Sequence, residues 1–269
     1  MSASDRIFAG SIPQFYDRHL VPLIFEPYAA DAAQRVRMLQ PARVLEIAAG
    51  TGVVTRALAK ALDADAQIIA TDLNQSMLDQ AATVATARPV QWRQADAQDL
   101  PFEDGSFDVV VCQFGAMFFP DKARAFAEAR RVLRPGGTYV FSVWDRIEAN
   151  EFADAVTAAL AVRIPHDPPR FLARTPHGYF DRDTIARDVA AGGFTREVQI
   201  DTIAARSRAT SAHVPAFAYC EGTVLRNEIE ARGLALAEAT DCATAEIVRR
   251  FGSSTVEGAI QAHVISVAA

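Results

Sequence analysis

The stretch Val44-Leu45-Glu46-Ile47-Ala48-Ala49-Gly50-Thr51-Gly52 decides the reading of this chain. An apolar run closes on an acid, and a small-residue turn then opens a helical pattern at Val53. Glycine has no Cβ, so such a turn lets backbone amides approach a bound group closely. Twenty residues after Gly52, Asp72 closes the next apolar run, Gln67–Thr71. A carboxylate in that position can accept both hydroxyls of a ribose. Turn and acid together point to an adenosine-type ligand.

Outward from this turn the pattern repeats. Runs rich in β-branched residues at Arg43–Ile47, Gln67–Thr71, Val90–Gln94, Phe107–Gln113 and Thr138–Trp144 alternate with helical patterns at Val53–Leu62, Ser76–Ala87 and Lys122–Leu133. That alternation predicts β-α-β units and a parallel sheet covered by helices on both faces. Asp108–Cys112 shows no polar alternation, as expected of a central strand buried on both sides. Asn74 and Ser76 are candidate helix caps, and Pro135-Gly136-Gly137 ends the helical pattern before it.

The flanks are less regular. Before Arg43 lie Phe15, Tyr16, Leu20, Leu23, Ile24, Phe25 and Tyr28, then a helical pattern at Ala29–Leu39. After Trp144 the sequence predicts helices at Glu151–Val162 and Thr184–Ala191, separated by a proline-rich loop at Ile164–Pro176. A strand at Arg196–Ala204, helices at Ala212–Ala231 and Leu234–Phe251, and a last strand near Ala259–Val267 follow. The chain is expected to form one domain, residues 1–269. It would comprise an N-terminal cap (1–40), a cofactor-binding core (41–145), and remaining strands carrying helical lid insertions (146–269).

Composition narrows the function. The 269 residues carry 27 basic and 33 acidic side chains, a formal charge of −6, which disfavours nucleic acid as the main partner. Half the residues are hydrophobic, enough for a sizeable core. No apolar run reaches the roughly 20 residues of a membrane span. The start, MSASDRIFAG, lacks the basic and apolar regions of a signal peptide, so a cytoplasmic protein is expected. Cys112, Cys220 and Cys242 have no metal-ligand spacing and are expected to be reduced core thiols, with no metal site.

Which adenosine-type ligand would the turn take? A dinucleotide site wants a third small residue to pack helix on strand, but Thr55 or Val53 stands there, depending on register. Glu46 suits a cationic amino group and is hard to justify beside a pyrophosphate. An NAD(P)-dependent oxidoreductase is therefore the alternative, as is a binding protein that kept the cofactor site and lost catalysis.

Several motifs occur in the order of a known family: VLEIAAGTG, the acid at Asp72, Ala95-Asp96-Ala97, the FDVV strand and the LRPGG turn at Leu133–Gly137. Over Pro41–Asp145 the chain resembles the class I S-adenosylmethionine-dependent methyltransferases. The likeness is to their ubiquinone/menaquinone-type small-molecule branch, similar to methyltransferase type 11. The resemblance implies a Rossmann-like doubly wound α/β sheet, mostly parallel with an antiparallel last strand, plus a helical cap. The implied cofactor is S-adenosyl-L-methionine, and the implied partner is a small-molecule acceptor.

The resemblance also implies roles for matching positions. Glu46 with the Ala48–Gly52 turn, including Gly50, would hold the methionine moiety. Asp72 would bind the ribose, with Leu73 and Met77 along the adenosine. Asp96 would accept from the adenine amino group, the Ala97 amide would meet the ring, and Gln113 would touch the methionyl end. Tyr16 resembles an aromatic that closes over the methionine carboxylate. Ala48 departs from the family, which has glycine there; alanine is expected to keep a negative φ. Phe114, Met117, Phe118 and Phe119 form an apolar run where the acceptor would sit, which suggests a lipophilic or aromatic substrate. No residue stands out as a catalytic base. Asp72 is expected to serve the ligand alone, so its loss would leave the ligand-free fold intact.

Overall fold

The βα alternation is realised nearly residue for residue. The computed structural model describes Gly10 and residues 12–269, so part of the expected N-terminal cap (1–9 and 11) lies outside the described residues. In chain order, α1 (Ile12–Phe15) leads into a π-helical run, Tyr16–Phe25, and then α2 (Glu26–Met38). β1 (Arg43–Glu46), α3 (Val53–Ala61), β2 (Gln67–Asp72), α4 (Gln75–Ala82), β3 (Gln91–Gln94), β4 (Phe107–Gln113), α5 (Lys122–Val132) and β5 (Leu133–Trp144) follow. The later elements are α6 (Glu151–Arg163), α7 (Phe171–Arg174), α8 (Arg182–Ala191), β6 (Gln199–Ala209), α9 (His213–Glu221), α10 (Leu225–Ala231), α11 (Leu236–Phe251) and β7 (Val256–Ala268).

The sheet runs β3-β2-β1-β4-β5-β7-β6. Its first five strands pair in parallel, and β5–β7 and β7–β6 are antiparallel. The order reverses direction at β1, so the carboxyl ends of β1 and β4 flank the place where open α/β sheets bind ligands.

The chain divides into two compact units. A sheet unit comprises Glu26–Val143, Phe180–Thr202 and His263–Ala269. Inside it, Val44, Ile68, Val109 and Val111 of the strands pack with Val36, Val54 and Leu58 of α2 and α3. In a second group Phe141 stacks on Tyr139 (4.8 Å between ring centroids) and meets Phe126 at a tilt (5.1 Å). Val109, Val110, Val111 and Cys112 are at most 1% exposed, which explains the unbroken apolar run in β4.

A helical unit comprises the described residues up to Phe25, Trp144–Tyr179 and Ile203–Ala262. Phe152 of α6 is fully buried and meets Phe251 of α11 edge-on at 5.1 Å. Among the described residues no helix is long and apolar enough to cross a membrane.

Several boundaries differ from the sequence expectation for identifiable reasons. β5 begins at Leu133 and carries Pro135-Gly136-Gly137 within it. Its register against β4 jumps from Phe107↔Leu133 to Val109↔Thr138, a bulge that absorbs the three residues. Gly136 at φ +77 helps make that bulge, and the Gly136 amide and Gly137 carbonyl pair with Ala269. The helix expected over Ala212–Ala231 breaks at Gly222, where the Thr223 hydroxyl donates to Tyr219 O. Helix α4 stops at Ala82, and the proline-rich loop contains one helical turn, α7. The π-helical run before α2 has Pro22 inside it, and proline's missing N–H disrupts regular α-helical bonding.

Candidate active site

Three strand ends of the sheet unit bring the expected residues together. Glu46 ends β1, Asp72 ends β2 and Gln113 ends β4. The turn after Glu46 is held from both sides: Ile47 N donates to Val111 O, and Ala49 N donates to Thr71 O, each at 2.9 Å. Gly50 and Gly52 adopt φ of +56° and +82°. A Cβ on Gly52 would lie 2.8 Å from the Trp92 ring, so only glycine lets β3 close on the turn. The Met77 methyl of α4 reaches to 3.5 Å of where a Gly50 Cβ would stand.

Ala48 departs from the geometry expected of alanine: its φ is +53, in the left-handed region. That corrects the expectation of a negative φ. A non-glycine residue there carries strain on the order of 1–2 kcal/mol. Gly115 makes room for its methyl, since a Cβ on Gly115 would stand 2.5 Å from Ala48 Cβ and 2.7 Å from Cys112 Sγ. Phe114, also at φ +54, is the second strained residue in this part of the site.

Both acids are buried. Glu46 is 1% exposed and Asp72 7%. Glu46 Oε2 accepts from the Thr55 hydroxyl at 2.5 Å, and Glu46 O accepts from Thr71 Oγ1 at 3.0 Å. Burial pushes the Glu46 carboxyl up to about 8, while the Thr55 hydrogen bond and the Arg56 charge draw it back. Asp72 Oδ2 accepts from Gly50 N (2.9 Å) and Oδ1 from Asn74 N (2.8 Å). Its carboxyl is also raised by burial, against the pull of those amides. Asp72 therefore pins the glycine turn to the start of α4. That corrects the expectation that it serves a ligand alone. Asn74 is the N-cap of α4 by position, but its side chain makes no capping bond.

The remaining candidates fall as follows. Leu73 is 39% exposed and Met77 is 4% exposed. Asp96 closes a turn after β3 by accepting from Gln98 N at 2.9 Å, with Ala97 buried beside it. Phe114, Met117 and Phe119 are buried, and Phe118 is half-buried. Tyr28 of α2 meets the Phe114 ring edge-on at 5.3 Å. Tyr16 belongs to the helical unit, where it stacks on Phe25 at 5.0 Å. Cys112 and Cys220 are buried thiols, whereas Cys242 is half-buried rather than a core residue.

Sequence reading missed Thr55 and Thr71 as the anchors of Glu46. The signal was present: Thr55 lies one helical turn past the glycines, on a helix entered from the strand that Glu46 ends.

A family model described as a methyltransferase domain matches residues 45–141. Ubiquinone/menaquinone biosynthesis C-methyltransferases are 32% identical over 167 residues in Stutzerimonas stutzeri and 30% identical over 167 residues in Saccharophagus degradans. Each match takes in 57% of this chain, and 65% and 67% of the respective relatives. The match thus spans about two thirds of the length of these two relatives. A SAM-dependent methyltransferase from Thermotoga maritima shares the fold, with a TM-score of 0.53 and 17% identity, over 96% of this chain and 97% of that one. The chain belongs to the class I S-adenosylmethionine-dependent methyltransferases of the ubiquinone/menaquinone type. The oxidoreductase alternative is not favoured.

Proposed function

We propose that this protein transfers the methyl group of S-adenosylmethionine to an O, N or C nucleophile on a small, apolar or aromatic molecule. The observation that carries the reading is the pair of buried acids, Glu46 and Asp72, bracketing a left-handed glycine turn at neighbouring strand ends. This donor set fits the group: an amino acid joined to a ribose needs a carboxyl for its ammonium, another for its diol, and backbone amides between.

In this reading Glu46 and the Ala48–Gly52 turn hold the methionine moiety, and Asp72 accepts from the ribose hydroxyls. Leu73 and Met77 flank the adenosine, Asp96 and the Ala97 amide meet the adenine, and Gln113 orients the methionyl end. Phe114, Met117 and Phe118 are the candidate acceptor wall; of these, half-buried Phe118 is the one with surface to offer.

The bound cofactor would supply a methyl group on a positively charged sulfur. The protein's part is to orient that carbon against the nucleophile and to exclude water, which lowers the barrier without an obligatory base. The relatives' names concern quinone biosynthesis, which agrees with an aromatic acceptor.

Calorimetry tests the reading. S-adenosylmethionine or S-adenosylhomocysteine should bind at micromolar scale, about −7 to −9 kcal/mol. Tight NAD binding with no response to either sulfur ligand would overturn it.

A further inference from the structure

Glu46 is fixed at both ends. Its carbonyl takes the Thr71 hydroxyl, and its carboxyl oxygen Oε2 sits 2.5 Å from the hydroxyl of Thr55, itself fully buried in the first turn of α3. The carboxyl is thus held out of water beside that hydroxyl. Its hydrogen bond goes to a neutral hydroxyl. A threonine hydroxyl rotates, so it can donate to a carboxylate or accept from a carboxylic acid without moving its oxygen.

The charged and titratable groups facing Glu46 are Arg56 from α3, Asp72 from β2 and Cys112 from β4. Each has other work. Arg56 Nη1 donates to Thr51 O at 2.6 Å, and Asp72 accepts the Gly50 and Asn74 amides. The Cys112 thiol is pushed up to about 12 by burial and stays uncharged. An ionised carboxylate so enclosed is disfavoured, and a buried acid relieves the penalty by keeping its proton.

We propose that Thr55 is a positioning residue for Glu46, and that seating a ligand's primary ammonium on this carboxyl expels one proton to solvent. The inference rests on the S-adenosylmethionine reading above and deepens it. In the step, the Glu46 O–H bond breaks, its electron pair remains on the carboxylate, and the proton passes to buffer. The ligand keeps all its N–H protons, and no bond within it changes. With the Glu46 carboxyl raised to about 8 by burial, the ligand-free group is mostly neutral near pH 7. Loading is therefore pH-linked, and the pair discriminates: an adenosine fragment without an ammonium leaves the proton in place.

The test is calorimetry of S-adenosylhomocysteine binding at about pH 7 in phosphate and in Tris, whose ionisation enthalpies differ. The expected result is release of close to one proton, fading above about pH 8, with affinity rising about tenfold per pH unit below that. 5′-Methylthioadenosine should bind with no release. Glu46→Gln should abolish the release and flatten the pH dependence. Thr55→Val removes a bond that favours the carboxylate, so it should move the release window to higher pH, and Thr55→Ser should restore it. Binding of S-adenosylhomocysteine with equal heats in both buffers would overturn this inference and leave the methyltransferase reading standing. Release that persists in Glu46→Gln would overturn it too. Failure of the wild-type protein to bind either adenosine compound would overturn that reading, and this inference with it.

Discussion

The two units store an ionisable group in opposite ways. In the sheet unit, burial keeps the acid Glu46 protonated; in the helical unit, burial keeps the base His177 deprotonated, its ring pushed down to about 4. His177 is 5% exposed and hydrogen-bonds Asp145 O through Nδ1 at 2.9 Å. A carbonyl can only accept, so Nδ1 carries the hydrogen and Nε2 the lone pair. The units also differ in how their contacts are drawn from the chain. The sheet unit is built mainly from successive βα repeats, the helical unit from three stretches far apart in sequence. Low dielectric selects the neutral form in both, and sequence distance decides which of them can be read in advance.

The largest expected effect lies in the helical unit. Phe152→Ala removes a fully buried ring packed on Phe251 and should cost about 3–5 kcal/mol. The chain has two tryptophans, and they fall one in each unit: Trp92 in the sheet unit and Trp144 in the helical unit. Urea unfolding read by Trp144 fluorescence in a Trp92→Phe background should shift to lower denaturant. Read by Trp92 in a Trp144→Phe background, an equal shift would mean that the units unfold together, and the contrast between them would not extend to stability.

Next is Asp72→Ala. Loss of charge-assisted bonds should weaken S-adenosylhomocysteine by about ten- to a hundredfold. Because Gly50 N and Asn74 N lose their acceptor, the ligand-free protein should also lose about 1–3 kcal/mol. A thermal melt without ligand checks this; an unchanged midpoint would return Asp72 to a purely ligand-binding role.

Gly115→Ala should cost about 1–3 kcal/mol by forcing its new methyl into Ala48 and Cys112. Ala48→Gly in the same chain should recover part of that loss, a coupling that a double-mutant cycle measures. Simple additivity would show that the two positions do not share space.

The smallest effect per step is the pH profile, on the order of 1 kcal/mol per pH unit for each group. Glu46 titrates at about 8 folded and near 4.5 unfolded, so its contribution is present below the unfolded value and lost as pH rises through about 8. His177 titrates at about 4 folded and near 6.5 unfolded, so its contribution is present above the unfolded value and lost as pH falls through about 4. Glu46→Gln should flatten the alkaline limb of chemical stability against pH, and His177→Gln the acid limb. A single limb responding to both variants would erase the distinction between the units.

Taken residue by residue, the sheet unit was readable because its determinants are local. The unbroken apolar run Val109–Cys112 can only be a strand with both faces covered, and Gly50 and Gly52 can only be a turn. Glu46 and Asp72 follow from their places at strand ends, since consecutive parallel strands put their carboxyl ends on the same edge. What tertiary structure alone decided is of another kind. That Ala48 sits at positive φ depends on the missing Cβ of Gly115, 67 positions away in the chain. That Asp72 braces the turn, and that Glu46 shares its site with Thr55, depends on how closely the amide and hydroxyl donors pack in three dimensions. Periodicity records which face of a strand is buried; it carries no record of which polar atom meets which once water has been excluded.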